Sequence, residues 1–181
     1  ELGRRELDYL KSVLEELNRA GSEGELEEIR RELQEGGYLR PDTDRKRMKQ
    51  AKLPPMRFES TDGYPIYVGR NNRQNDELTF RLARKDDIWC HASKVHGSHV
   101  IISCGGTTPP DNTVTQAAQL AAYYAETGGG QNIPVDVTAV KQVKKIPNGK
   151  PGMVIYHTYR TVIANPYPDI VVDALNAETK E

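Results

Sequence analysis

The chain has 181 residues, enough for one compact domain and an appendage, and its 36% hydrophobic and 28% charged content is globular rather than disordered. No stretch approaches the ~20 apolar residues of a membrane helix, and two cysteines, Cys90 and Cys104, are too few for a secreted disulfide scaffold, so a reducing, cytoplasmic compartment and no membrane partner are expected. The net charge of −1 conceals an asymmetry: residues 1–35 hold 6 basic and 11 acidic side chains while residues 36–168 hold 18 and 11, so the middle of the chain suits a polyanion.

Leu7, Leu10, Leu14 and Leu17 recur at three- and four-residue steps and predict an amphipathic helix over residues 2–19. Gly21 and Gly24 interrupt it, with Ser22 available as an N-cap. Leu26, Ile29 and Leu33 then repeat the spacing down to Gly36-Gly37, a C-terminal stop. The expectation is a helical hairpin or coiled-coil stub over residues 1–37. The charged start, Glu1 to Glu16, does not read as a secretory signal. A start without Met inside a helical pattern predicts a piece of a longer protein.

Residues 38–56 form a basic connector, with Arg40, Arg45, Lys46, Arg47, Lys49 and Lys52 set against Asp42 and Asp44. It reads as a solvated linker or an RNA-backbone contact strip. Strand character begins at Arg57. Phe58 leads to the turn Thr61-Asp62-Gly63 and then to Tyr64–Val68, where Pro65 suggests an edge or a strand start. The polar run Arg70–Asp76 suits turns and caps, and Leu78 to Ala83 can be helical. Asp87–His91 and Ser98–Ser103 read as strands joined by Ala92–Gly97. Residues 112–126 predict a helix capped by Asp111 or Asn112, with a small-residue face of Ala117, Ala118, Ala121, Ala122 and Ala125. Val135–Val140, Met153–His157 and Thr161–Ala164 supply further strands, and residues 169–181 form a tail. Short connections and one central helix predict an α+β fold: a largely antiparallel sheet with a central packed helix over residues 57–168.

Strand alternation puts Asp87, Trp89 and His91 on one face and Ile88 and Cys90 on the other. The first face serves a ligand, or is the half-polar face ordinary in an antiparallel sheet. Gly97-Ser98 presents amide and hydroxyl donors to a phosphate, or is a turn that needs glycine. Cys90, His91, His96, His99 and Cys104 lack the two-to-four-residue gaps of a zinc knuckle, so no metal is expected. No nucleophile elbow, phosphate loop or dinucleotide fingerprint appears, so neither a cofactor nor catalysis is expected. Lys141, Lys144, Lys145 and Lys150 surround the Asn148-Gly149 turn and suit phosphate contacts or plain solubility.

Tyr67-Val68-Gly69-Arg70-Asn71-Asn72, Gln74-Asn75-Asp76 and Leu78-Thr79 resemble the opening signature of the NFACT-R domain of the RqcH/NEMF family, also called the fibronectin-binding protein A family. Asp87-Ile88-Trp89-Cys90-His91-Ala92 and Gly97-Ser98-His99-Val100-Ile101-Ile102 resemble its central signature. Val143-Lys144-Lys145-Ile146 and Lys150-Pro151-Gly152-Met153-Val154 resemble its closing block, in the right order over roughly residues 57–163. Two departures stand out: Cys90 where the family usually has Leu or Phe, and His96 where it usually has Pro, which should loosen the turn. The resemblance implies a bacterial quality-control factor that binds obstructed large ribosomal subunits carrying stalled peptidyl-tRNA. It would recruit alanyl-tRNA for template-free tailing, the ribosome making the bonds. Fibronectin is the partner implied by the older family name.

Within that frame Arg70, Arg73, Lys144 and Lys145 are expected to hold phosphates. Asn71, Asn72, Gln74 and Asn75 are expected to bond sugars, bases or the domain's own loops. Trp89 stacks on a base or packs, His91 and His99 hydrogen-bond without titrating, Gly97 and Ser98 offer donors, and Asp87 orients Arg or His. All these groups are expected on one exposed surface of the sheet.

Overall fold

A computed structural model describes residues 2–41 and 52–166. The chain divides into two compact units at Pro54–Pro55.

The first unit is a helical hairpin of α1 (Leu2–Arg19) and α2 (Glu23–Glu35). Ser22 caps α2, its hydroxyl accepting from the Glu25 N–H at 3.3 Å, while the Glu25 carboxylate accepts from the Gly21 N–H at 2.8 Å. That exchange is a variant of the capping box. At the other end Gly37 takes φ +80°, and Tyr38 and Gly37 donate back to the Leu33 and Gln34 carbonyls, closing a Schellman turn. The leucine stripe is placed differently from the expectation. Leu7, Leu10, Leu14 and Leu17 are exposed, and Tyr9, Val13 and Glu16 form the buried face. Both stripes obey helical spacing, so periodicity alone does not choose between them. The choice is made by Tyr9, whose hydroxyl donates to Glu32 of α2 at 2.8 Å. Arg45, Lys46, Arg47 and Lys49 of the basic connector lie outside the described residues, as does the tail.

The second unit is α+β. Of its eight strands, six form one sheet: β1 (Met56–Glu59), β2 (Pro65–Val68), β3 (Ile88–Ala92), β4 (Val100–Ile102), β5 (Ile133–Ala139) and, last among the described residues, β8 (Arg160–Ala164). The order is β1-β2-β4-β3-β5-β8, and every pairing is antiparallel. Pro65 opens β2, where its missing N–H costs no interior ladder bond. Helix α3 (Asn72–Glu77) runs directly into a π-helical turn, Leu78–Leu82. Helix α4 (Asp111–Tyr123) begins at Pro110 with no side-chain cap, so neither Asp111 nor Asn112 is the N-cap. The predicted strand at Met153–His157 shrinks to β7 (Val154–Ile155), which pairs with β6 (Lys144–Lys145) in a separate two-stranded ribbon.

The sheet separates two cores. Ala117, Ala118, Ala121 and Ala122 let α4 sit close against Ile66, Val68, Cys90, Val100, Ile102, Val135 and Val137. On the opposite face Trp89 and Ile101 pack with Leu78 of the π turn and with Val140 and Val143, which precede β6. The face carrying Trp89 is therefore covered by the chain's own elements.

Candidate nucleic-acid interface

The polar run after β2 folds inward. Asn71 is the N-cap of α3, its side chain accepting from the Gln74 N–H at 2.8 Å. The Gln74 side chain accepts from the Arg70 N–H at 2.8 Å, and the Asn75 side chain from the His99 N–H at 3.0 Å. All three, with Asn72, are buried. Gly69 is required by this closure, because an added Cβ would overlap the Asn75 amide. The expectation that Asn71, Asn72, Gln74 and Asn75 line an exposed surface is thus corrected. The amides of Asn71, Gln74 and Asn75 replace missing backbone partners and tie α3 to the segment after β2 and to His99, just before β4.

The central signature is sealed in the same way. Trp89 is fully buried, so it packs rather than meeting a base. Its ring stacks on His91 (centroids 5.5 Å, 10° between planes) and lies 4.8 Å from Tyr156 and 5.3 Å from His99. Tyr156 donates to the buried carboxylate of Asp136 at 2.8 Å, as does Thr161. His99 shares a 2.8 Å hydrogen bond with Thr79, and burial, reinforced by neighbouring His91, pushes its pKa down to about 3. His91 is half-buried; desolvation lowers its pKa against hydrogen bonds to the backbone of Gly97 and Ala92. Both rings are held neutral at pH 7.

Gly97 and Ser98 do not form a phosphate nest. Gly97 bridges to Ala125, where a Cβ would come within 2.9 Å of the Ala125 methyl, and the Ser98 N–H donates to the Tyr124 carbonyl at 3.1 Å. The Ser98 side chain is buried. The departure at His96 does not loosen this loop, since the His96 carbonyl accepts from the Glu126 N–H at 2.8 Å. Asp87 is buried and orients backbone rather than Arg or His side chains, accepting from the N–H groups of Arg84 (2.7 Å) and Cys104 (2.9 Å).

What remains at the surface is cationic. Lys144 and Lys145 are exposed on β6, and Arg70 and Arg73 are half-exposed on either side of the Asn71 cap. Lys145 Nζ lies 2.8 Å from Asp76 of α3 and 5.1 Å from the centre of the Phe80 ring. Asp76 also accepts from the Gly152 N–H at 3.0 Å, which ties the closing block to α3. The first and last signatures therefore meet at Asp76, one helical turn after Arg73 on α3. Three exposed cations were not singled out from the sequence: Arg81, Arg84 and Lys85. Their signal was weak because Asp86 and Asp87 follow at once and cancel them in a charge count, yet Asp87 points inward and Asp86 pairs with Lys141 at 3.0 Å. Among the described residues no three His, Cys, Asp or Glu gather as a metal site requires.

Both units of the chain resemble known proteins. Residues 55–158 match the family described as NFACT protein RNA binding domain, and residues 1–52 match NFACT N-terminal and middle domains. The chain is 42% identical over 174 residues to the Rqc2 homolog RqcH of Bacillus subtilis (strain 168), covering 94% of the chain and 30% of that relative. It is 45% identical over 159 residues to the Rqc2 homolog RqcH of Streptococcus pneumoniae serotype 2 (strain D39), covering 87% of the chain and 28% of the relative. The chain thus spans under a third of the length of these relatives. A solved structure of the C-terminal part of the fibronectin/fibrinogen-binding protein from Streptococcus suis is also similar. Its TM-score is 0.87 at 39% identity, covering 94% of this chain and 67% of that one.

Proposed function

Since the chain belongs to the NFACT RNA-binding family, we propose that it holds tRNA for a ribosome quality-control factor. In this reading the whole protein works in the cytoplasm and binds large ribosomal subunits obstructed by peptidyl-tRNA. It recruits alanyl-tRNA for template-free extension of the stalled chain. The ribosome makes the peptide bonds, and this domain contributes grip rather than catalysis. The supporting observation is that lysines and arginines of the two end signatures, Arg70, Arg73, Lys144 and Lys145, lie at the surface around a tightly hydrogen-bonded framework. Such cations bind a sugar–phosphate chain largely through displaced counterions.

The test is tRNA affinity across a salt series. Lys144→Ala/Lys145→Ala should flatten the slope of log affinity against log salt by about 1–2, at roughly 0.7–0.9 per phosphate contact. An unchanged slope removes those lysines from the interface. A second reading is adhesion, favoured by the name of the Streptococcus suis relative. Binding of the chain to immobilised fibronectin, with no measurable affinity for tRNA, would select it.

A further inference from the structure

The turn that follows α3 is unusual in its backbone. The Ala83 N–H reaches back to the Leu78 carbonyl at 2.9 Å, a five-residue step. Such π turns are rare, mostly single turns, and frequent at functional sites. Here the widened turn buries Leu78 and Thr79 while Arg81 and Leu82 stay exposed. The next residues are fixed just as firmly. The buried Asp87 carboxylate holds the Arg84 N–H, the Lys85 carbonyl accepts from the Lys141 N–H at 3.0 Å, and the Asp87 carbonyl accepts from the Val140 N–H at 2.9 Å. A rigid backbone therefore carries Arg81, Arg84 and Lys85 into solvent, beside the segment that leads to Lys144.

Two nearby acids are already occupied. Asp86 is occupied by Lys141 and Asp76 by Lys145. Among the described residues the side chains of Arg81, Arg84, Lys85 and Lys144 make no ion pair or hydrogen bond. Holding unpaired cations close together on a fixed backbone is unfavourable for the free domain and favourable once a polyanion arrives. Arginine adds planar, two-pronged recognition of phosphate oxygens.

We infer that the principal phosphate-gripping surface of this domain is the rim formed by the π turn and the residues just after it, with Arg81, Arg84 and Lys85 as its main cations and Lys144 at its border. This rests on the RNA-holding reading above and says where on the domain the RNA backbone lies. The exposed side chain of Leu82 supplies an apolar contact between the cations for a ribose or base face.

The experiment compares tRNA binding by the whole chain and by Arg81→Ala/Arg84→Ala/Lys85→Ala across a salt series, with thermal melting of each. Lys94→Ala, an exposed cation in the loop after β3, is the control. The triple variant should melt like the parent, bind tRNA about tenfold or more weakly, and lose about 2 from the salt slope, at roughly 0.7–0.9 per phosphate. Lys94→Ala should bind as the parent does. If the triple variant proves unstable, the single charge reversal Lys85→Glu reads the same slope. A parent chain that binds tRNA and a triple variant with the parental affinity and slope would overturn the rim while leaving the RNA-holding reading intact. A parent chain that binds no RNA would overturn both.

Discussion

Residues 69–75 read from the sequence as a binding segment and residues 81–85 do not, yet the structure assigns them the opposite exposures. The first segment turns its amides inward, where Asn71, Gln74 and Asn75 each accept a backbone N–H that burial would otherwise orphan. The second carries its cations on an equally fixed backbone but sends them to solvent. Amide side chains can both donate and accept, so they can substitute for backbone partners in a close-packed interior. Guanidinium and ammonium groups are too costly to bury unpaired and are excluded from that role. The most distinctive part of the signature therefore builds the shape, and the less distinctive cations stay at the surface.

That comparison breaks if framework residues act on RNA directly. The largest effect is expected at Trp89. Trp89→Ala should cost about 3–5 kcal/mol of unfolding free energy, as removal of a buried ring does. Trp89→Phe should keep most of the stability, because among the described residues the indole N–H has no hydrogen-bond partner to lose, and should leave tRNA affinity unchanged. Lost affinity in a folded Trp89→Phe domain would restore the tryptophan to the binding site. Next come Gly69→Ala and Asn75→Ala, at about 1–3 kcal/mol each, the first by overlap with Asn75 and the second by stranding the His99 N–H. Urea unfolding measures both, and wild-type stability in either would show that the closure is not structural.

A third effect depends on pH. His99 is neutral in the folded domain down to about pH 3, whereas an unfolded histidine titrates near 6.5. Below about pH 6.5 the unfolded chain binds a proton that the folded one refuses. Stability is then complete above that pH and falls as the pH drops toward 3, by up to about 1.4 kcal/mol per unit from this ring. Urea melts between pH 7 and pH 5 should show the loss, His91 adding in the same direction, and His99→Gln should flatten it. A flat profile in the parent chain would mean that His99 is not sealed. The smallest effect is at the rim, where alanine at Arg81, Arg84 or Lys85 should move stability by no more than about 0.5 kcal/mol, since each is exposed.

Much of the fold was legible because its signals are local. Helix α4 announces itself by its alanines, α2 by Ser22 and Gly37, and β2 by Pro65. What failed were choices between two arrangements that local chemistry permits equally. The leucine and Tyr9 stripes of α1 have the same period, and contacts of Tyr9 with Glu32 and Tyr38 favour the second. Asn71–Asn75 is as hydrophilic as a surface loop, and its closure uses a partner far along the chain, the His99 N–H just before β4. The charges of Arg84 and Lys85 vanish into those of Asp86 and Asp87 until the direction of each side chain is known.

The central claim, that RNA is held by the exposed rim and not by the buried signature, is met most directly by lysine labelling of the chain with and without saturating tRNA. The account predicts protection of Lys85 and Lys144, with Lys94 labelled equally in both states. Unchanged labelling of Lys85 and Lys144 in a demonstrably bound complex would contradict it.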